Sequence, residues 1–182
     1  MKSKIIITAL TICLIFITLL SFEIYKQNNE EKAILFMSQY VAKDSSNAIM
    51  KWSKYYVNLE WVEVFSTVIT ESEGRVNSKS RSGNMGLLQI SRKLASLGQM
   101  RYDGIIDNRD PYSIEFNIAT GCMHLNAIRS YLQKDVGKCW VQTYAVYNAG
   151  RRGFYIKKYR IGGAINRFID NLSFYQAQWE KF

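Results

Sequence analysis

The chain has 182 residues, 48% of them hydrophobic, and carries a single histidine and a formal net charge of +9. This length suits one domain with a substantial core and is too short for two. Because His124 is the only histidine, a histidine-rich metal site is excluded, and any Ser-His-Asp or Cys-His catalytic arrangement would depend on that one ring.

The first predicted element is an apolar helix at the N-terminus. Residues 5–22 contain no charged side chain and follow Lys2 and Lys4. The stretch is long enough to span a membrane and lacks a clear small-x-small cleavage site, so we expect residues 1–22 to be an uncleaved signal anchor rather than a signal peptide. The two lysines place the N-terminus in the cytoplasm and the domain on the outer side of the cytoplasmic membrane. Cleavage would instead give a secreted protein.

The exported part is basic. Without Lys2 and Lys4 it has 22 basic and 15 acidic residues, a net charge of about +7. An anionic wall polymer, an acidic membrane surface or nucleic acid would match this charge, and export argues against nucleic acid. A merely soluble basic surface remains the alternative.

The next predicted elements are helices. Apolar residues recur at helical spacing from residue 30 to residue 56, with a break predicted at 44–46, and we expect residues 23–56 to pack on the domain as a helical lead-in. A further helix begins near Val57 and ends near Gly74, a residue that tolerates positive φ.

The main domain is predicted to span residues 57–182 and to be all-α. Residues 75–84 are polar and form a loop. Asp110 and Pro111 are suited to a helix start, and the following helix should run to about Gln133. Two more helices are predicted at about 138–148 and 162–179, with no convincing strand alternation.

The cysteines leave one question open. Cys13 lies in the apolar segment, whereas Cys122 and Cys139 lie on consecutive predicted helices that would face an oxidising compartment. A disulfide between these two residues and two separate buried thiols are both compatible with the sequence.

Glu71 is the first candidate functional residue. It lies at the end of the Val57 helix, where the negative end of the helix dipole and the neighbouring Val68, Ile69 and Leu88 disfavour a charged carboxyl. An acid that stays protonated near neutral pH can protonate a glycosidic leaving oxygen. The alternative is that Glu71 merely ends a helix.

The following loop suits a bulky polar ligand. Gly83 and Gly86 let the backbone approach such a ligand closely, whereas Ser80 and Gln89 supply neutral donors and acceptors for hydroxyl and acetamido groups. The alternative is that the glycines only turn the chain.

Three sequence blocks then resemble one family. Glu71-Ser72, Ser80 and residues 83–89 match Glu-Ser, Ser and Gly-x-x-Gly-Leu-x-Gln of the soluble-lytic-transglycosylase-like domain. Two later blocks agree in order: Asn117, Gly121 and Leu125 match Asn-x-x-x-Gly-x-x-x-Leu, and residues 145–150 match Ala-x-Tyr-Asn-Ala-Gly. The resemblance covers about residues 57–153.

The resemblance implies a lysozyme-like helical fold and cleavage of the bond between N-acetylmuramic acid and N-acetylglucosamine in peptidoglycan. It assigns Glu71 as catalytic acid and base, and Ser80, Gln89, Tyr147 and Asn148 as substrate-binding or supporting residues. This chain departs from the family at two positions: His124 replaces a common Tyr, and Asn84 a common Ala. From the sequence, His124 is expected to be a packing or surface residue.

The implied reaction needs only one carboxyl, although most glycosidases use two. Asp103, Asp107 and Asp110 share one loop and are candidates to approach the site, but Asp110 is explained as a cap and no clear second catalytic carboxylate emerges. The product would then be a 1,6-anhydro sugar. The alternatives are a lysozyme-like hydrolase that uses water, and a wall-binding or assembly protein with weak or no turnover.

The remaining expectations concern partners. The Asp103 loop lacks the Asp-x-Asp-x-Asp-Gly order of a calcium loop, so we expect no metal, and we expect no cofactor. The expected partners are peptidoglycan glycan strands and the membrane, without nucleic acid; an envelope-spanning machinery is a further candidate that the sequence does not identify. A basic cluster follows the Tyr147 block, either as a solvated face or to attract anionic wall polymer: Arg151, Arg152, Lys157, Lys158 and Arg160.

Overall fold

The computed structural model describes residues 2–56, 58–132, 140–156 and 163–182, and for 2–10 and 151–156 it describes the backbone alone. These residues form seven helices: α1 (Lys2–Met37), α2 (Lys43–Tyr55), α3 (Trp61–Ser72), α4 (Arg92–Arg101), α5 (Ile114–Leu132), α6 (Trp140–Ile156) and α7 (Gly163–Lys181). Within the same residues the only β-structure is a pair of isolated bridges, Lys79 with Met85 and Met85 with Ile90. The all-helical prediction is confirmed.

Helix α1 extends well beyond the apolar segment, to Met37. No helix in the described residues is both long enough and apolar enough to cross a membrane. The membrane anchor at residues 1–22 therefore stays a prediction.

An aromatic cluster joins the end of α1 to α3 and α7. The Phe36 ring lies 6.4 Å from the Phe65 ring and 6.5 Å from the Tyr175 ring, both in edge-on contact. Such contacts add to the stabilisation from burial of the rings. The cluster fixes α3 and α7 side by side, and both helices contribute to the candidate site.

The predicted break at residues 44–46 was wrong. The chain leaves helix α1 after Met37, and Asp44 lies in the first turn of α2. Acidic side chains are favoured there because they face the positive end of the helix dipole. Ser46 also donates its backbone N–H to Ala42. The polar run 44–46 is therefore a helix start, and the break lies at residues 38–42.

Two helix starts were misjudged further along the chain. Helix α4 was not predicted; Ser91 caps it by accepting a hydrogen bond from the Leu94 amide at 3.2 Å. Helix α5 begins at Ile114, later than predicted, because the Asp110 carboxylate accepts from the Tyr112 amide at 2.7 Å and caps a turn instead of the helix.

Helix α7 lies close to its predicted position, whereas α6 runs to Ile156, beyond its predicted end near residue 148. Helix α6 begins at Trp140, and its predicted start at 138 lies outside the described residues. The helix is kinked at Gly150, which has a φ of 69° that L side chains rarely adopt. Helix α7 runs from Gly163 to Lys181.

A buried contact between an acidic and a basic side chain connects α3, α5 and α6. Glu63 of α3 lies 3.9 Å from Arg129 of α5, and the guanidinium group of Arg129 lies over the Trp140 ring at 3.8 Å. Burial raises the pKa of Glu63 to about 9, with a further upward contribution from Glu60 and an opposing one from Arg129. Burial therefore favours a protonated Glu63 at neutral pH, against the effect of Arg129.

Candidate functional site

Glu71 lies in the last turn of α3. The face of this helix that precedes it is fully buried through Val64, Phe65 and Val68, which fixes the direction in which the helix ends. The helix terminates at Glu73, whose φ of 55° is left-handed, and Gly74 follows with a φ of 76°. The chain therefore turns away directly after Glu71 and leaves its carboxyl at the helix end, as the sequence predicted.

The carboxyl of Glu71 faces helix α6. Tyr144 donates its hydroxyl proton to Glu71 Oε1 at 2.8 Å, and the Asn148 side chain also hydrogen-bonds to the carboxyl. Burial raises the pKa of Glu71 above its ordinary value, although the two hydrogen bonds and the positive charge of Arg167 oppose this effect. Glu71 therefore stays protonated up to a higher pH than an ordinary glutamate.

The loop after α3 is built around two glycines with left-handed backbone. Gly83 has a φ of 83° and Gly86 a φ of 74°. A Cβ atom on Gly86 would lie only 2.1 Å from Asn117 Nδ2, whereas one on Gly83 would meet nothing within 4 Å. Gly86 is therefore required both for its φ and for the close approach of Asn117.

Asn117 is the residue that fastens this loop to the core. Its fully buried side chain donates to the carbonyl oxygens of Met85 at 2.9 Å and Pro111 at 2.6 Å, and its Oδ1 accepts from the Leu88 amide at 2.8 Å. Gly121, one turn later on α5, gives Leu88 the space to pack, since a Cβ there would lie 2.3 Å from Leu88 Cδ1. The Asn-x-x-x-Gly block thus fastens the loop to α5.

Ser80 and Gln89 both support the loop. Ser80 Oγ accepts from the Asn84 amide at 3.0 Å and shares a hydrogen bond with Ser82. The Gln89 amide nitrogen donates to the Ser78 carbonyl at 3.2 Å and to the Gly86 carbonyl at 2.9 Å. Gln89 is buried, with a φ of 47°. Its amide group is therefore engaged with loop backbone, whereas the Ser80 side chain is partly exposed.

The Tyr147 block joins the loop to the carboxyl. Tyr147 donates its hydroxyl proton to the Leu88 carbonyl at 2.6 Å, and its ring lies 5.4 Å from the His124 ring. Tyr144, Tyr147 and Asn148 follow the i, i+3, i+4 spacing of one helix face. The structure therefore brings Tyr147 and Asn148 to the same side of α6 as Glu71, together with Tyr144, which the sequence analysis missed.

The other candidate acids have different partners. Asp103 pairs with Arg109 at 2.5 Å, and Glu73 with Arg75 at 2.7 Å, both on exposed surfaces. The interactions that shift the pKa of Glu71 involve Tyr144, Asn148 and Arg167. In the described part of the chain, no carboxylate is among them, and no group of three or more His, Cys, Asp or Glu side chains could hold a metal ion.

Two expectations from the sequence fall wholly or partly outside the described residues. Cys122 is a buried free thiol, and Cys139 lies in the undescribed segment 133–139. The basic cluster after the Tyr147 block lies where side chains are not described.

Comparison with known proteins decides the family. A sequence model described as the transglycosylase SLT domain matches residues 47–161. The chain belongs to the transglycosylase SLT family. Membership of the SLT family indicates a peptidoglycan-degrading enzyme. The match includes Glu71, the glycine loop, the Asn117 helix and the Tyr147 block, and ends before α7. A comparison with curated proteins found no match.

Proposed function

We propose that the chain is a peptidoglycan lytic transglycosylase. It cleaves the β-1,4 bond between N-acetylmuramic acid and N-acetylglucosamine and leaves a 1,6-anhydro-muramic acid end. The observation that carries this proposal is Glu71, a partly buried carboxyl with a raised pKa, held at a helix end and hydrogen-bonded by Tyr144 within the SLT match. A protonated carboxyl in such a place is the general acid that a glycosidic leaving group requires.

In the first step Glu71 donates its proton to the glycosidic oxygen as the bond from that oxygen to C1 of the muramic acid breaks. The substrate's acetamido oxygen stabilises the positive charge that develops at C1. In the second step the ionised Glu71 takes the proton from the 6-hydroxyl as O6 bonds to C1, which regenerates the acid. One carboxyl serves both steps, and the sugar's own hydroxyl takes the place of water.

The surroundings of Glu71 support a single-carboxyl route. Asp103, the first acid of the loop considered from the sequence, pairs with Arg109. The groups that act on Glu71 are two hydrogen-bond donors and a cation, and no described carboxylate shifts its pKa. An inverting hydrolase would need a second carboxylate to activate water across the sugar ring.

Substrate contacts are assigned to side chains beside the carboxyl. Asn148 is exposed and hydrogen-bonds to Glu71, which suits it to bind the sugar next to the broken bond. Ser80, in the partly exposed loop, is assigned to hydroxyl and acetamido groups. Tyr147 and Gln89 are assigned an indirect role in substrate binding. Their polar groups support the loop by donating hydrogen bonds to the carbonyl oxygens of Leu88 and Gly86, respectively.

The product mass tests the reaction. Digestion of purified peptidoglycan by the full-length chain should release muropeptides whose muramic acid ends are lighter by one water than reducing ends. Mass spectrometry before and after borohydride reduction distinguishes the two, because an anhydro end has no reducible aldehyde. Reducible, water-added ends would assign a lysozyme-like hydrolase, and the absence of any cleavage would assign a wall-binding protein.

We also propose that residues 1–22 hold the enzyme at the cytoplasmic membrane with its SLT domain outside. Support comes from the uncharged run 5–22 behind two lysines and from the exposed apolar side chains of α1, such as Leu14 and Phe16. Alkaline carbonate extraction of membranes tests the anchor: an anchored chain stays in the pellet, and a chain found in the medium would refute it. An envelope-spanning machinery remains a candidate partner of such an anchored enzyme.

A further inference from the structure

Helix α7 lies beyond the residues that match the SLT domain, yet it reaches the catalytic carboxyl. The match ends at residue 161, and α7 begins at Gly163. Asn171 of α7 donates to Thr70 Oγ1 at 3.0 Å, one residue before Glu71. Three residues earlier and on the same helix face, the buried Phe168 ring contacts helix α6. One face of α7 thus holds both helices that form the site.

The contact with α6 is a ring stack on Tyr144. The centroids of the Phe168 and Tyr144 rings lie 4.3 Å apart, and their planes differ by 13°. Tyr144 is only 1% exposed, and its hydroxyl is directed at Glu71 Oε1. The stack leaves the Tyr144 ring little freedom to rotate, so the position of the hydroxyl is set by Phe168.

This hydrogen bond distinguishes the two oxygens of the carboxyl. When the Tyr144 hydroxyl donates to Oε1, that oxygen is the acceptor, and the proton of the neutral acid then belongs on Oε2. An acid whose proton is always on the same oxygen is preorganised for transfer to one position in the substrate.

We propose that Tyr144 is a positioning residue that selects Oε2 of Glu71 as the proton-bearing oxygen, and that α7 is part of the catalytic unit because Phe168 holds Tyr144 in place. The consequence for catalysis rests on the proposed function of Glu71. The geometry itself does not depend on that function.

The charged and titratable groups around Glu71 determine the expected pH effect. Tyr144 and Tyr147 face it from α6, and Arg167 acts on it from α7. The Tyr144 hydrogen bond and the Arg167 charge stabilise the ionised carboxyl and so lower its pKa against the effect of burial. Removal of the Tyr144 hydroxyl should therefore raise the pKa of Glu71 further.

Tyr144→Phe tests the positioning role. We expect its rate of wall cleavage to fall roughly 10- to 100-fold, the range for a lost hydrogen bond to a charged group. In the full-length chain labelled with ¹³C at glutamate carboxyls, the Glu71 resonance, assigned from its loss in Glu71→Gln, should titrate at higher pH than in the wild type. The matched control is Tyr102→Phe, since Tyr102 is equally buried and its hydroxyl donates to the Ala119 carbonyl at 2.8 Å. This control should leave the titration of Glu71 unchanged.

A second pair of variants tests the role of α7. Phe168→Leu keeps an apolar side chain but removes the ring stack, and it should shift the Glu71 titration in the same direction as Tyr144→Phe, with a smaller loss of rate. Phe174→Leu, on the same helix but 50% exposed, is the control that should do neither.

The titration separates this inference from the proposed function. If Tyr144→Phe leaves the pKa of Glu71 where it is, or if Tyr102→Phe raises it equally, the positioning role is overturned even when the enzyme cuts peptidoglycan. If the titration shifts as expected but the wild type does not cut peptidoglycan, the proposed function fails and the positioning of Glu71 stands.

Discussion

Glu71→Gln is expected to fold like the wild type and to lose wall cleavage by roughly 10²- to 10⁴-fold, the contribution of a positioned general acid. The glutamine oxygen can still accept the hydrogen bond from Tyr144, which preserves the local structure. The amide has no proton that it can transfer to the leaving oxygen. The rate at which soluble muropeptides are released from purified peptidoglycan measures the loss, and thermal unfolding checks the fold.

The control for this variant is Glu73→Gln. Glu73 lies two residues later, but it is exposed and paired with Arg75 on the surface. The Glu73→Gln variant removes one carboxyl of the same kind from the same turn, and its cleavage rate should stay near that of the wild type. A Glu71→Gln variant that cuts as fast as Glu73→Gln would rule out Glu71 as the acid.

Gly86→Ala should have the largest effect on stability among the glycine variants of the loop. The φ of 74° at Gly86 is costly for alanine. The Cβ of the new alanine would also overlap Asn117, whose side chain hydrogen-bonds to the backbone of Met85, Pro111 and Leu88. We expect the free energy of unfolding to fall by about 3 kcal/mol, from backbone strain and overpacking combined. Urea denaturation measures this change.

Gly83→Ala is the matched variant, because Gly83 has a similar φ of 83° but open space around the added Cβ. It should lose only about 1 kcal/mol, the cost of the backbone conformation alone. Equal losses in the two variants would show that the contact with Asn117 does not constrain the loop.

The sequence was most informative where local rules decide the structure. Helical periodicity predicted an all-α chain, and Glu71 lies at the end of its helix as expected. It was least informative at helix boundaries, where polar residues serve equally as breaks and as starts. Asp44 lies in the first turn of α2 rather than in a break between helices, and Asp110 caps a turn four residues before α5 begins.

The motif residues of the candidate site can be recognised in the sequence, whereas the residues that hold them in place through tertiary packing cannot. Tyr144 has the same helix-face spacing as Tyr147 and Asn148, a signal that could have found it. Phe168 and Asn171 carried no such signal, because their contacts with Tyr144 and Thr70 join helices distant in sequence. For Gln89 the side chain type suggested a sugar contact, which stays a prediction, whereas the hydrogen bonds of its amide nitrogen to the loop backbone could not be foreseen from the sequence.

If the partly buried Glu71 cuts peptidoglycan while it carries a proton, the pH dependence of wild-type cleavage must follow the titration of its carboxyl. Burial raises the pKa of Glu71, and cleavage begins with the protonated form, so the rate should fall as pH rises through that raised pKa. We expect the alkaline fall in kcat/KM to lie above the ordinary glutamate pKa of 4.5. A fall at or below that ordinary value would contradict it, because Glu71 would then be ionised at the pH where the enzyme works.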